Sequence, residues 1–169
     1  QLLTDLAPDD TERAIAGLGA ELREREEALA ARQFVSVDQW EQRSPDDCPA
    51  RIVCVIDEFR AMIRTHPATL ESLVDLAARG RSLGVHLIAA TQSPGGVVTP
   101  SMRANLTLRV CLRTASVADS LEMVASGAAS ELPRVPGRAV VDAGSMKEVQ
   151  WAYFSHLESN LGALQETVS

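Results

Sequence analysis

At 169 residues, with 46% apolar and 4% aromatic side chains, the chain has enough apolar mass for one domain whose core is aliphatic and alanine-rich. A formal net charge of −7 speaks against a nucleic-acid surface spread over the whole piece, leaving room only for a local basic strip. No apolar run reaches the roughly 18 residues of a membrane span, no signal peptide is visible, and Cys48, Cys54 and Cys111 lack the spacing of a zinc site and fit a reducing cytoplasm.

Pro8-Asp9-Asp10-Thr11-Glu12 reads as an acidic helix start, and the helix is expected to run to about residue 32. Ile15, Leu18, Leu22 and Leu29 make its apolar stripe. Glu21, Arg23, Glu24, Arg25, Glu26 and Glu27 are expected on the opposite, solvated face, with partner docking as the alternative. Residues 34–40 suggest a turn of helix. Residues 43–50 read as a loop, because Pro45 and Pro49 interrupt any helix there.

Ile52-Val53-Cys54-Val55-Ile56 is an apolar run of the kind found in a strand buried on both faces, and it ends in Asp57-Glu58. Two acids cannot point into a core at low cost, so they are expected at the strand's end, over a crevice. That is the form of a Walker B segment, in which the first acid would hold Mg²⁺ and the second would polarise an attacking water. The alternative is a buried strand followed by a solvated Asp-Glu turn. A helix over 67–83, with Leu70, Leu73, Val74, Leu76 and Ala77 as its stripe, is expected to stop at Gly84. The strand at 85–90 then ends in Thr91-Gln92, again polar groups at a carboxyl end. Pro94-Gly95-Gly96 is a loop. Further strands are expected at 106–112, 138–141 and 149–154, a helix at 116–125, and a tail or helix at 156–169. Alternating strands and helices predict an α/β fold, mainly parallel, with helices on both faces; the crowded late strands predict an antiparallel edge.

VCVIDEF, RGRSLGVHLIAATQSP, SMRANLTLRVCLRT, ADS and LPRVPGRAVV occur here in one order. In that order they resemble the C-terminal portion of an FtsK/SpoIIIE-type ATPase domain, from about Leu2 to Phe154. The resemblance implies a RecA-like P-loop NTPase core, incomplete here, as a domain over 1–155 followed by a tail at 156–169. It implies ATP and Mg²⁺ as cofactors, and a homo-oligomeric ring or neighbouring ATPase domains as partners. The chain departs from the pattern in having no G-x-x-x-x-G-K-[ST] phosphate loop; its only lysine, Lys147, lies near the end without the glycine spacing. The simplest account is a chain that starts partway through its domain, with Gln1-Leu2-Leu3-Thr4-Asp5 as the end of a later strand; a loop-less copy is the alternative.

The resemblance places Asp57 on Mg²⁺, Glu58 as base, and Thr91 and Gln92 near a γ-phosphate. For Gln92 the alternative is a strand-end cap. Arg109 corresponds to a finger acting across a ring interface, with a structural salt bridge as the alternative and Arg103 as second candidate. Arg79 and Arg81 read as helix-dipole caps. His86 reads as a core or boundary residue, Cys54 and Cys111 as small core residues, and His66 and His156 show no partner in the sequence.

Two substrate classes occur within the family. Gly80 to Leu87, Leu112-Arg113-Thr114, Glu131-Leu132-Pro133 through Pro136-Gly137 and the acidic charge lean towards the EccC/EssC-like motors of type VII secretion, which move protein. Duplex DNA translocation in segregation or conjugation is the first alternative, and a degenerate, non-hydrolysing interaction module the second. The expected setting is the cytoplasmic face, as a piece of a membrane-anchored bacterial protein, with no direct membrane contact by these residues.

Overall fold

The computed structural model describes residues 8–96 and 98–152. The expected strand end at 1–5, the end of the expected last strand and the segment 156–169 lie outside them. The chain divides into two units, the first ending at Thr107 and the second starting at Leu108.

The first unit opens with α1 (Pro8–Arg32), whose buried stripe is Ile15, Leu22 and Leu29. It continues with α2 (Val37–Arg43), capped by the Ser36 hydroxyl, which accepts from the Gln39 amide. A short 3-10 turn, Pro45–Asp47, occupies the stretch expected to be loop. Then come β1 (Ile52–Ile56), α3 (Phe59–Thr65) and α4 (Thr69–Arg79). The expected helix over 67–83 is thus shorter, and its last turn tightens into a 3-10 segment, Gly80–Leu83. Gly84 follows in the left-handed region at φ +70° and ends the turn as its residue type requires. Gly80 is equally constrained: a Cβ there would come within 2.4 Å of the Val85 carbonyl oxygen. β2 (Val85–Ala89) and α5 (Pro100–Asn105) complete the unit; α5 was not expected, although Thr99-Pro100 is a good start signal.

β1 and β2 pair in parallel, Ile52 opposite Val85 and Ile56 opposite Ala89. Ile52, Cys54, Ile56, Val85, Leu87 and Ala89 face a core shared with Leu22 and Leu29 of α1, Trp40 of α2 and Leu73 and Leu76 of α4. The other face carries Val53, Val55, His86 and Ile88. Its three aliphatic residues are more than half exposed, at 56%, 64% and 54%. The run was expected to be buried on both faces. The correction has a simple cause: the helices of this unit that pack on the pair lie on one side of it, and the unit's own described residues place no layer on the other.

A second correction concerns α1. Arg25, expected on the solvated face, is 5% exposed. Its Nη1 donates to the Leu83 carbonyl at 2.9 Å and its Nη2 to the Ala50 carbonyl at 2.7 Å, while Nε pairs with Glu21 at 2.6 Å. Leu83 and Ala50 lead into β2 and β1, so one guanidinium ties the amino ends of both strands to α1. His66 is buried as well, with Nδ1 3.6 Å from a Glu12 carboxylate oxygen.

The second unit contains β3 (Arg109–Leu112), α6 (Val117–Val124), α7 (Ala128–Glu131), β4 (Arg138–Asp142) and β5 (Met146–Gln150). Its sheet is antiparallel in the order β3-β4-β5; the late strands, expected as the antiparallel edge of a mainly parallel sheet, pair antiparallel but form a sheet of their own. Cys111, Val124, Ala129, Leu132 and Val140 form its core. Ser120 serves that core from within: its hydroxyl donates to the Ser126 carbonyl at 2.5 Å and accepts from the Ala129 amide at 3.0 Å. The last strand begins earlier than expected, because Gly144 at φ +89° lets the chain reverse directly after β4.

Candidate functional site

The polar residues singled out in the sequence meet where β1 and β2 end. Parallel pairing carries both strands out in the same direction, and the ladder continues one step beyond them. The Ala90 amide donates to the Ile56 carbonyl at 2.8 Å, and the Phe59 amide to the Ala90 carbonyl at 2.8 Å. Phe59 is buried beneath and begins α3. The two acids are therefore held at the lip of the sheet by backbone on one side and an anchored aromatic on the other.

Asp57 is exposed in the turn leaving β1. Glu58 is half-buried and occupies the capping position of α3, yet its side chain makes no capping bond. It turns instead to the neighbouring strand: the Thr91 hydroxyl donates to Glu58 Oε1 at 2.8 Å. The Ser93 amide in turn donates to Thr91 Oγ1 at 3.3 Å. Gln92 is exposed beside them, and Pro94 is buried. Asp57, Glu58, Thr91 and Gln92 thus lie at one edge, and the contact between Glu58 and Thr91 was not legible in the sequence.

The two arginines are placed differently. Arg103 is half-buried in the last turn of α5. Arg109 belongs to the second unit, directly opposite Asp142 in the β3–β4 register, and its Nη2 pairs with Asp142 Oδ2 at 2.5 Å. Asp142 Oδ1 also accepts from the Gly144 amide at 3.1 Å. The salt-bridge alternative for Arg109 therefore has an ion pair behind it. Its buried Nε has no hydrogen-bond partner among the described residues. Arg79, expected to serve its helix end, pairs with Asp75 one turn back and with Glu26 at 2.6 Å.

The remaining titratable groups do not build a rival site. His86 lies half-buried on β2. All three cysteines are unpaired, and burial pushes their thiols above the ordinary range, which makes them less reactive at neutral pH. Among the described residues no group of three or more His, Cys, Asp or Glu side chains is arranged to hold a metal by itself. Mg²⁺ does not ask for such a cage: it is commonly held by one or two carboxylates together with substrate phosphates. Exposed Asp57, beside Glu58 at the sheet's edge, fits that donor set. No helix among the described residues is long and apolar enough to cross a membrane.

No family model matches the chain. It is 30% identical over 147 residues to the type VII secretion system protein EssC of Staphylococcus aureus, a match covering 85% of this chain and 10% of that protein. The chain spans about a tenth of the length of the curated relatives it matches. The cytoplasmic domain of the type VII secretion ATPase EccC of Thermomonospora curvata superposes with a TM-score of 0.76 at 28% identity, covering 89% of this chain and 18% of that one. The pCW3 conjugation coupling protein TcpA, solved with ATPγS, superposes at 0.82 and 22% identity, covering 94% of this chain and 49% of that one; at that identity the likeness is one of fold. The open-ended parallel pair, its acidic lip and both comparisons agree: the chain belongs with the FtsK/SpoIIIE-type ATPase domains, on their EccC/EssC-like branch.

Proposed function

We propose that this chain is the water-activating part of an ATP-driven motor domain that energises protein export in a type VII secretion-like system. The observation that carries the reading is the pairing of strand ends. β1 delivers Asp57 and Glu58, β2 delivers Thr91 and Gln92, and Glu58 is fixed to Thr91 at 2.8 Å. Asp57 would hold Mg²⁺, which when bound offsets the charge of the β- and γ-phosphates. Glu58 orients a water and takes its proton. Gln92, exposed at the same lip, orients that water or senses the terminal phosphate. Protein rather than DNA as cargo is favoured by the relatedness to EssC and EccC and by the net charge of −7. The domain spans 1–155 in this reading and works in a ring or beside other ATPase domains, on the cytoplasmic face of a membrane-anchored protein.

Two experiments test it. Purified 1–169 with Mg-ATP should release phosphate only at background, since its sequence has no G-x-x-x-x-G-K-[ST] loop to cradle the phosphates and supply a lysine. Robust turnover that vanishes in Glu58→Gln would overturn the expectation that this chain alone does not hydrolyse ATP. The resemblance implies that Arg109 stabilises the transition state across a subunit interface, with its ion pair to Asp142 as the structural alternative. For that role, Arg109→Ala must leave nucleotide affinity unchanged while hydrolysis falls, and mixing it with Glu58→Gln must restore part of the activity. No recovery in a co-assembled mixture would assign Arg109 to its pair with Asp142 alone and move the test to Arg103.

A further inference from the structure

We propose that Thr91 is a positioning residue for Glu58, its hydroxyl aiming the carboxylate that acts as base. The inference rests on the reading of Glu58 given above. Three features of the geometry lead to it.

The first is where the Glu58 side chain goes. A polar side chain at a helix start ordinarily satisfies the free amides of the first turn. Glu58 sits there and does not. Its Oε1 crosses to the adjacent strand and accepts from Thr91 at 2.8 Å. Both residues are half-buried, and a hydrogen bond to an ionised carboxylate is of the stronger kind.

The second is how the hydroxyl itself is held. Thr91 is β-branched and therefore stiff about its first side-chain torsion. Its Oγ1 accepts from the Ser93 amide at 3.3 Å and lies 3.3 Å from the Ser93 carbonyl oxygen. A hydroxyl has one proton to give. Here Glu58 offers the shorter of two acceptors, so the loop's backbone fixes the oxygen while the proton goes to the carboxylate.

The third is what is left over. Thr91 ties one oxygen of the Glu58 carboxylate, Oε1. A carboxylate held through one oxygen presents the other in a defined direction to a water. Such orientation is worth a great deal, since a misplacement of about 1 Å costs on the order of a hundredfold in rate. Thr91 would then act on the reaction through Glu58 and would add nothing to nucleotide affinity. This distinguishes it from a residue that touches a phosphate.

If the protein that carries this segment also carries a phosphate loop, the test uses that protein whole. Thr91→Val removes the hydroxyl and keeps the shape. Its kcat for ATP hydrolysis should fall about tenfold to a hundredfold, with KM and the Kd for nucleotide unchanged. Thr91→Ser, which restores the hydroxyl, should recover most of the loss. The double variant Thr91→Val/Glu58→Gln should be no slower than Glu58→Gln alone, because residues acting as a unit do not add. Normal kcat in Thr91→Val while Glu58→Gln is inactive would overturn the role of Thr91 and leave Glu58 as base. Near-normal turnover in Glu58→Gln would overturn the reading of the base itself. A raised KM with unchanged kcat would make Thr91 a nucleotide contact instead. If Thr91→Val does not fold, Thr91→Ala and Thr91→Ser decide the matter: Ser as slow as Ala overturns the proposal.

Discussion

The two ends of the parallel pair are built on opposite plans. At the amino ends of β1 and β2, one buried guanidinium from α1 satisfies two backbone carbonyls and a carboxylate. At the carboxyl ends, a half-buried acid shares a single hydrogen bond with one threonine, and Asp57 and Gln92 stand exposed. A charge whose partners are all internal holds a fold together. Polar groups left facing outward at a strand's end are available to something else. The difference separates stability from chemistry within a single unit, and it can be tested by moving each independently.

Among the polar groups of the pair, the largest effect on stability is expected at the amino ends. Arg25→Met should destabilise the chain by about 3 kcal/mol, because the buried Leu83 carbonyl and the part-buried Ala50 carbonyl lose their donor and Glu21 loses its partner. Chemical denaturation measures it, and a loss below about 1 kcal/mol would show that water takes the guanidinium's place. In a parent protein that carries a phosphate loop, the same variant should hydrolyse ATP at an ordinary rate per folded molecule. Glu58→Gln should do the reverse. Its melting temperature should stay close to that of the parent, while hydrolysis falls at least about a hundredfold. If both variants changed both quantities alike, the distinction between the two ends would be lost.

Gly84→Ala sharpens the same boundary from the backbone. The residue at φ +70° lies between the 3-10 turn and β2, and its carbonyl accepts from the Ile52 amide at 2.9 Å. A cost of about 1 kcal/mol is expected from the left-handed conformation alone, more where the new Cβ crowds Val37 at 3.0 Å. On the open face of the same sheet, Val55→Thr should cost less than about 0.5 kcal/mol, as exposed substitutions do. Leu73→Ala beneath the covered face should cost about 2–5 kcal/mol.

The smallest effect is electrostatic. The Arg79 guanidinium holds the Asp75 carboxyl below its ordinary value of 3.8, through a hydrogen bond first and its charge second. A depressed carboxylate adds stability above the unfolded-state value and loses it as pH falls through the folded one. Asp75→Asn should therefore lower Tm slightly at neutral pH and leave it unchanged well below about pH 3. An equal decrease at both would assign the effect to packing.

Much of this arrangement was written in residue order. An apolar run ending in Asp57-Glu58, and another ending in Thr91-Gln92, announce two strand ends with polar lips, because burial forbids carboxylates inside and permits them only where a strand stops. The Gly84 stop and the Pro136-Gly137 turn were legible for the same local reason: Gly84 adopts φ +70° and Gly137 φ +77°. What could not be read was anything settled by distant partners. Arg25 looked like one charge among five others on a helix face, and only Leu83, 58 residues away, and Ala50 explain its burial. Arg109 finds Asp142 across 33 residues of chain. The open face of β1 escaped notice because an unbroken aliphatic run does not say which of its sides is covered. α7, a single turn, carries too short a pattern to announce itself.

Trp40 sits at 4% exposure in the first unit, its indole nitrogen donating to Asp47 at 2.8 Å under the guanidinium of Arg32, whereas Trp151 in the second unit is 52% exposed. The chain has no other tryptophan. Each unit therefore contains its own optical probe, and the two differ in how wet they are. Excited together, they should give an emission band in which the blue side follows the first unit and the red side the second. If the units melt at different temperatures, the band's shape will change before its intensity is lost. A Trp151→Phe variant would leave a single-colour reporter for the unit that contains Glu58.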